Sequence, residues 1–328
     1  MSDIETTTSK RLLLVSGRAN EPLAEAVALE LGTKLASLTA YDFANGEIFV
    51  RFNESVRGTD AFVLQSHSDP INKWIMEQML IVDALRRASA RRITVVIPYY
   101  GYARQDKKHR GREPISARLV SDLMRTAGAD RLMAVDLHTS QIQGFFDGPV
   151  DHLFALNLLA EHVRKNVDVS KVTVVSPDAG RVRVAERWTD VLGSPLAIIH
   201  NRRDPDIPNE VRVLEVVGDV KGQICLLVDD IVDTGGTIIK AAETLFDYGA
   251  SAVIVAASHA VLSDNAAERL QESRISEVIV TDTLPVTQAQ SFDKLTVLSI
   301  APLLATAINE VFNEGSVTQL FDDGRLQA

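Results

Sequence analysis

The sequence predicts an α/β protein of two domains, each a mainly parallel sheet flanked by helices. Short apolar runs alternate with amphipathic helical patterns along almost the whole chain, which is the signature of strands joined by crossover helices. At 328 residues the chain exceeds one typical domain and is ample for two with separate cores. The pattern also restarts after Asp147-Gly148-Pro149, so the boundary is expected near 149–152, with domains over 10–150 and 151–321.

Residues 12–15 form a first buried strand. Asn20 is expected to cap the next helix, with Pro22 in its first turn and Gly32 as its stop. Asn45-Gly46 is a tight-turn signal within Phe43-Ala44-Asn45-Gly46-Glu47, and 48–52 has strand character, so a hairpin belongs here. Its tip is read as exposed, against the plainer alternative of a hairpin with Phe43 in the core, which the residues alone favour. Two further apolar strands, 61–64 and 93–97, bracket a helix through Trp74, Ile75, Met79 and Val82 that ends in a basic stretch.

From Ala103 to Glu113 no large apolar side chain occurs, so this stretch, with Arg104, Gln105, Asp106 and Lys107, is a solvated loop. It is either hydrated surface or a mobile basic segment that closes over a polyphosphate. Ser116 is expected to cap a helix to Ala127, with Gly128 as its stop, before a strand over 132–135 that ends in Asp136-Leu137-His138. A histidine there is more often a hydrogen-bonded turn residue than a ligand. A helix over 153–163 opens the second half, whose strands are read at 172–175, 196–199, 224–228, 253–256 and 278–280. Pro302 starts a last apolar helix over 303–312 that packs back on a domain core.

Composition narrows the partners. A net charge of −10 argues against general affinity for nucleic acid or an anionic membrane, both of which require a basic surface. The single cysteine, Cys225, excludes an internal disulfide or a cysteine-based zinc site, and its apolar strand marks it as an inert buried thiol. No run approaches the roughly 18 apolar residues of a membrane span, and the polar residues 1–10 hold no signal core, so a cytosolic protein is expected.

The chemistry is most legible at 225–237. An apolar run, Leu226 to Val228, ends in two carboxylates, Asp229 and Asp230, and Asp233-Thr234-Gly235-Gly236-Thr237 opens a helix with Ile238, Ala242 and Leu245 on one face. Glycines let an anion approach the backbone, successive amides and threonine hydroxyls point at it, and the helix dipole favours it. The pair of acids suits vicinal hydroxyls, so the layout fits a five-carbon sugar phosphate. Its bland alternative is an ordinary strand-turn-helix corner. Ser176-Pro177-Asp178-Ala179-Gly180 adds a carboxylate at another strand end. No Gly-x-x-x-x-Gly-Lys-Ser/Thr or Gly-x-Gly-x-x-Gly occurs, so a nucleotide must bind in another way.

Five motifs, Phe-x-Asn-Gly-Glu, Tyr-Ala-Arg-Gln-Asp-Lys-Lys, Asp-Leu-His-x-x-Gln-Ile-Gln-Gly-Phe-Phe, Ser-Pro-Asp-x-Gly and Val-Asp-Asp-x-x-Asp-Thr-Gly-Gly-Thr, occur in this order between residues 12 and 321. Together they resemble the class I ribose-phosphate pyrophosphokinases. The resemblance implies two phosphoribosyltransferase-like domains and a Mg2+-dependent transfer of the diphosphoryl group of ATP to the C1 hydroxyl of ribose 5-phosphate, releasing AMP. It implies ATP contacts at Phe43, Asn45, Gly46 and Glu47, from a neighbouring subunit, and at Arg104, Gln105, Asp106 and Lys107. It also implies magnesium at His138 and Asp178, and ribose 5-phosphate at Arg203, Asp229, Asp230, Asp233, Thr234, Gly235, Gly236 and Thr237. A homo-oligomer, a hexamer in the family pattern, is implied as well, with phosphate and ADP as effectors at Arg57, Ser316 and Thr318. One position departs from the pattern: Asn201 stands where the family has a catalytic lysine, two residues before Arg203. A catalytically weak or regulatory paralogue is therefore an alternative, and a phosphoribosyltransferase, which needs one such domain, a more distant one.

Overall fold

The computed structural model describes residues 10–202 and 213–318, which divide into two compact units at Leu153/Phe154, with the chain from Ala301 counted in the first. In that unit β1 (Leu12–Ser16) leads to α1 (Glu21–Glu30), a hairpin of β2 (Leu38–Asp42) and β3 (Ile48–Phe52), β4 (Asp60–Leu64) and α2 (Ile71–Arg87). There follow β5 (Arg92–Ile97), α3 (Ser116–Ala127), β6 (Arg131–Val135) and β7 (Val150–Leu153). Strands β1-β4-β5-β6-β7 form a sheet in that order, with every pairing parallel. The continuous apolar runs follow from this, because a parallel strand covered on both faces has no solvent side to mark with polar residues; Ala61 to Leu64 are all buried. Helix α2 lies against β4 and β5, burying Ile75, Ile81, Val82 and Leu85.

The second unit contains α4 (Leu156–Asn166), β8 (Val172–Ser176), α5 (Val182–Leu192), β9 (Leu196–Arg202), β10 (Val213–Val217), β11 (Ile224–Val232) and α6 (Gly236–Asp247). It continues with β12 (Ala252–Ala260), α7 (Ala266–Glu272), β13 (Glu277–Thr281) and β14 (Leu295–Leu298). Its seven strands run β10-β9-β8-β11-β12-β13-β14, all parallel except the β10–β9 pair. After β8 the chain lays β9 on one side, then crosses to lay β11 on the other. The winding therefore reverses between β8 and β11, and that is where open α/β sheets bind ligands, beyond the carboxyl ends of the strands. Cys225 is buried in β11, and burial pushes its thiol up to about 12, as expected for an inert side chain.

The last helix, α8 (Ala301–Asn313), packs on α1 in the first unit: Leu304, Ala305 and Ile308 are buried on α8, and Leu23, Ala24 and Val27 on α1. Burying a Leu or Ile side chain contributes roughly 1.5–3 kcal/mol, which is reason enough for the chain to return there. A Lys10–Glu314 ion pair of 2.5 Å closes the same corner.

Several local expectations need correction. The helix expected from residue 153 starts at Leu156, because Val150–Leu153 is instead the edge strand β7. Polar Asp151 and His152 hid it: Asp151 takes Arg131 at 2.8 Å, and His152 Nε2 accepts the Leu137 N–H at 2.9 Å. Ser116 does not cap α3 but is its first residue, with its hydroxyl donating to Gln105 Oε1 at 2.6 Å. Asn20 stands at the N-cap of α1 without a side-chain capping bond. Among the described residues no helix is long and apolar enough to cross a membrane.

Candidate active site

The two acids do not end β11. On the β8 side pairing stops at Leu227, whereas on the β12 side it runs on to Val232, so Asp229 and Asp230 lie in a strand that has lost one neighbour. The space left by β8 is filled by the loop that follows it. There Ser176 Oγ donates to the Asp178 carbonyl at 2.7 Å, and Asp178 Oδ1 accepts the N–H groups of Gly180 at 2.7 Å and Arg181 at 3.1 Å. The Arg181 guanidinium then reaches across the switch point to Asp230 Oδ1 at 2.8 Å and Asp229 Oδ1 at 3.3 Å. Burial first, and the Asp230 carboxylate second, hold the Asp229 carboxyl well above its usual range, while Arg181 pulls it back.

Immediately after β11 the chain turns through Asp233 and Thr234 into α6. Gly235, at φ 73°, is the N-cap, a left-handed conformation that a side chain would strain. Its carbonyl accepts the Ile239 N–H at 2.9 Å, and Ile238, Ala241, Ala242 and Leu245 anchor the helix in the core. Thr234 and Thr237 remain exposed, and no acid occupies the first turn of α6, so its amide-rich end keeps its favourable partial charge for an anion. Arg269 of α7 donates to the Thr234 carbonyl at 3.1 Å and lies beside Gly236, where an added Cβ would stand 3.5 Å from a guanidinium nitrogen. Sequence reasoning missed both Arg181 and Arg269, because pairing either with this loop requires the strand order.

His138 follows β6 in the first unit and is half-buried; the Asp178 side chain, in the second, accepts its two backbone N–H groups through Oδ1. Among the described residues no group of three or more His, Cys, Asp or Glu side chains converges as a metal cage.

The basic loop after β5 is exposed at Arg104, Gln105 and 107–112, but Asp106 corrects the expectation of a wholly solvated segment. It is 4% exposed, and its carboxylate accepts from Thr139 Oγ1 at 2.7 Å and Gln141 Nε2 at 2.6 Å. Asp106 therefore faces inward, tying the loop to the segment after β6 and leaving Arg104 and Lys107 outside. The loop is also held at its root, where buried His67 accepts the Gly101 N–H at Nδ1 (3.0 Å) and faces Gln78 Oε1 through Nε2 (2.9 Å).

The hairpin tip is exposed, and the plainer reading with Phe43 in the core fails: Phe43 is 46% exposed and Tyr41 44%. Tyr41 stacks on Phe49 at 4.9 Å and meets Phe43 edge-on at 5.3 Å, forming an aromatic platform. Gly46 takes φ 90°, and Glu47 N–H donates to Asn45 Oδ1 at 3.1 Å. At the base Asp42 bridges Arg18 and Lys73, both at 2.6 Å, so the tip is presented from an anchored stem.

Arg57, Ser316 and Thr318 are exposed in the first unit. Asn201 lies in β9, its backbone opposite Leu214 of β10, and Arg203 falls outside the described residues.

A doubly wound sheet carrying acids and a Gly-Gly helix entry at its switch point defines an α/β protein of the phosphoribosyltransferase-like class. Residues 12–128 match the N-terminal domain of ribose phosphate pyrophosphokinase, and 201–322 match the phosphoribosyl synthetase-associated domain. A ribose-phosphate pyrophosphokinase of Streptomyces coelicolor is 65% identical across 98% of this chain and 100% of its own length. One from Mycobacterium tuberculosis is 60% identical across 98% and 99%. A crystal structure of phosphoribosylpyrophosphate synthetase from Mycobacterium smegmatis superposes with a TM-score of 0.89 at 59% identity, covering 93% of this chain and 100% of that one. The chain belongs to the ribose-phosphate pyrophosphokinase family.

Proposed function

We propose that the protein is a Mg2+-dependent ribose-phosphate diphosphokinase. The C1 oxygen of ribose 5-phosphate bonds to the β-phosphorus of ATP as the bond from that phosphorus to the α–β bridging oxygen breaks. AMP leaves with the bridging oxygen, and the hydroxyl proton goes to water. The observation that carries this reading is the pairing, at one switch point, of an acid pair suited to a diol with a helix entry suited to a phosphate.

In this reading Asp229 and Asp230 accept from the ribose hydroxyls, and Asp233 to Thr237 hold the 5-phosphate. Arg104, Gln105, Asp106 and Lys107 contact ATP, and Arg203 stands near the transferred group. Phe43, Asn45, Gly46 and Glu47 take adenine from a neighbouring subunit, a role that the exposed aromatic platform supports. By the family resemblance Asp178 and His138 would hold Mg2+, and the ion would supply neutralisation of the polyphosphate charge. A homo-oligomer of hexameric order, regulated by phosphate and ADP around Arg57, Ser316 and Thr318, belongs to the same proposal, as do a cytoplasmic location and the domain limits 10–150 and 151–321.

The comparisons lend no support to a regulatory paralogue, and a phosphoribosyltransferase leaves the first sheet and the Arg104 loop without a use. Incubation with ATP, Mg2+ and ribose 5-phosphate is expected to release AMP in step with phosphoribosyl pyrophosphate. No AMP, alongside consumption of added phosphoribosyl pyrophosphate with a purine or pyrimidine base, would overturn the reading.

A further inference from the structure

We propose that Arg181 is a positioning residue for the sugar: it bridges Asp229 and Asp230 through their Oδ1 atoms and so holds the acid pair in place against the hydroxyls of a vicinal diol. The inference rests on the ribose 5-phosphate site described above.

The geometry ties three groups through one residue. The Arg181 backbone N–H donates to Asp178, its Nε reaches Asp229 Oδ1, and its Nη2 reaches Asp230 Oδ1. All three side chains of the ion-pair cluster are largely enclosed, at 14% exposure for Arg181, 20% for Asp229 and 7% for Asp230. Asp229 Oδ1 also accepts the Asp230 N–H at 2.8 Å, so the two acids and the arginine form one connected cluster. Adjacent enclosed carboxylates repel each other, and without a cation between them they rotate apart or share a proton. A shared proton places a donor where the sugar hydroxyl itself must donate. Arg181 opposes both outcomes, pulling down the Asp229 carboxyl that burial and Asp230 raise, and its planar fork sets a spacing between the acids that a single point charge does not.

The side-chain contacts of Arg181 fall on the two acids assigned to the sugar, so its removal should act on sugar binding. Losing a charge-assisted contact of this kind corresponds to about ten- to a hundredfold in affinity. For Arg181→Gln the KM for ribose 5-phosphate is expected to rise by that factor, with kcat within about threefold of the parent and the KM for MgATP within about twofold. Arg181→Lys restores the charge without the fork and should recover most of the loss. The proposal fails if KM rises for both substrates while kcat falls with it, if kcat drops while the KM for ribose 5-phosphate holds, or if lysine rescues nothing. Should Arg181→Gln not fold, Arg181→Lys carries the test alone. Its KM for ribose 5-phosphate should then be raised about two- to fivefold at unchanged kcat, and no rise refutes the positioning role. Calorimetric titration of ribose 5-phosphate into parent and variant keeps the two questions apart. Inactivity of the parent would refute the diphosphokinase reading, whereas equal sugar affinity of the two proteins would refute the role of Arg181.

Discussion

Acid should loosen the root of the basic loop through His67. This ring is fully buried, and burial lowers its pKa to about 4 from 6.5 despite the Gln78 contact. Nδ1 accepts the Gly101 N–H, so Nε2 carries the proton and donates to Gln78 Oε1, and the neutral tautomer is set by its two neighbours. A second proton has to enter at Nδ1 and break the Gly101 bond, three residues before Arg104. Because the folded pKa is depressed, the stabilisation is complete above pH 6.5 and is lost as pH falls toward 4; below that both states hold the proton and the slope ends. The shift of about 2.5 pH units at about 1.4 kcal/mol each amounts to about 3 kcal/mol for this one group. Urea unfolding of the parent and of His67→Asn, at intervals from pH 8 to pH 4, isolates it. Asparagine keeps an acceptor for Gly101 but does not titrate, and its lost packing is a constant offset that leaves the slope alone. The difference in stability between the two proteins should shift by about 3 kcal/mol in favour of the variant across that range. Parallel pH profiles would refute the buried neutral histidine.

Arg104→Ala should leave the unfolding curve unchanged, since the side chain is exposed, and should lower turnover as a closing element does; an unaltered rate would return that loop to plain hydrated surface. Asp233→Ala and Thr237→Ala should weaken ribose 5-phosphate binding far more than ATP binding in calorimetry, and equal losses for both ligands would count against the α6 cradle. Asn201→Lys should raise turnover roughly tenfold or more with little change in ribose 5-phosphate affinity, because a cation there acts on the transferring phosphates. Equal rates of AMP release by parent and variant would show that the position needs no charge, and Arg202→Ala, if it collapses the rate, would identify the substitute.

What could be read from the chain was what is local in it. The apolar runs of β4, β5 and β11 needed no partner to be recognised, and neither did the Gly-Gly entry to α6, since propensity, periodicity and a positive-φ requirement act within a few residues. The misses are the features decided by neighbours. β7 is two apolar residues around an acid and a histidine, and it is a strand because β6, Arg131 and the Leu137 amide satisfy that pair. Asp106 looked solvated among lysines and arginines, yet Thr139 and Gln141, more than thirty residues on, turn it inward.

Arg181 is the sharpest case, because its meaning depends on sheet order alone. The arginine follows β8 and the acids sit in β11, with β9 and β10 between them in sequence. If the strands had been laid down in chain order, β9 and β10 would separate β8 from β11, and Arg181 and the acid pair would stand at different strand ends. Reversal of the winding makes β8 and β11 neighbours, and the earlier end of their pairing at Leu227 opens the gap that the arginine crosses. The same reversal that creates a ligand crevice thus brings to it a cation from a distant segment of the chain. Two acids at the end of an apolar run suffice to suggest a diol, but holding them close together against their mutual repulsion takes a cation, and the fold supplies it.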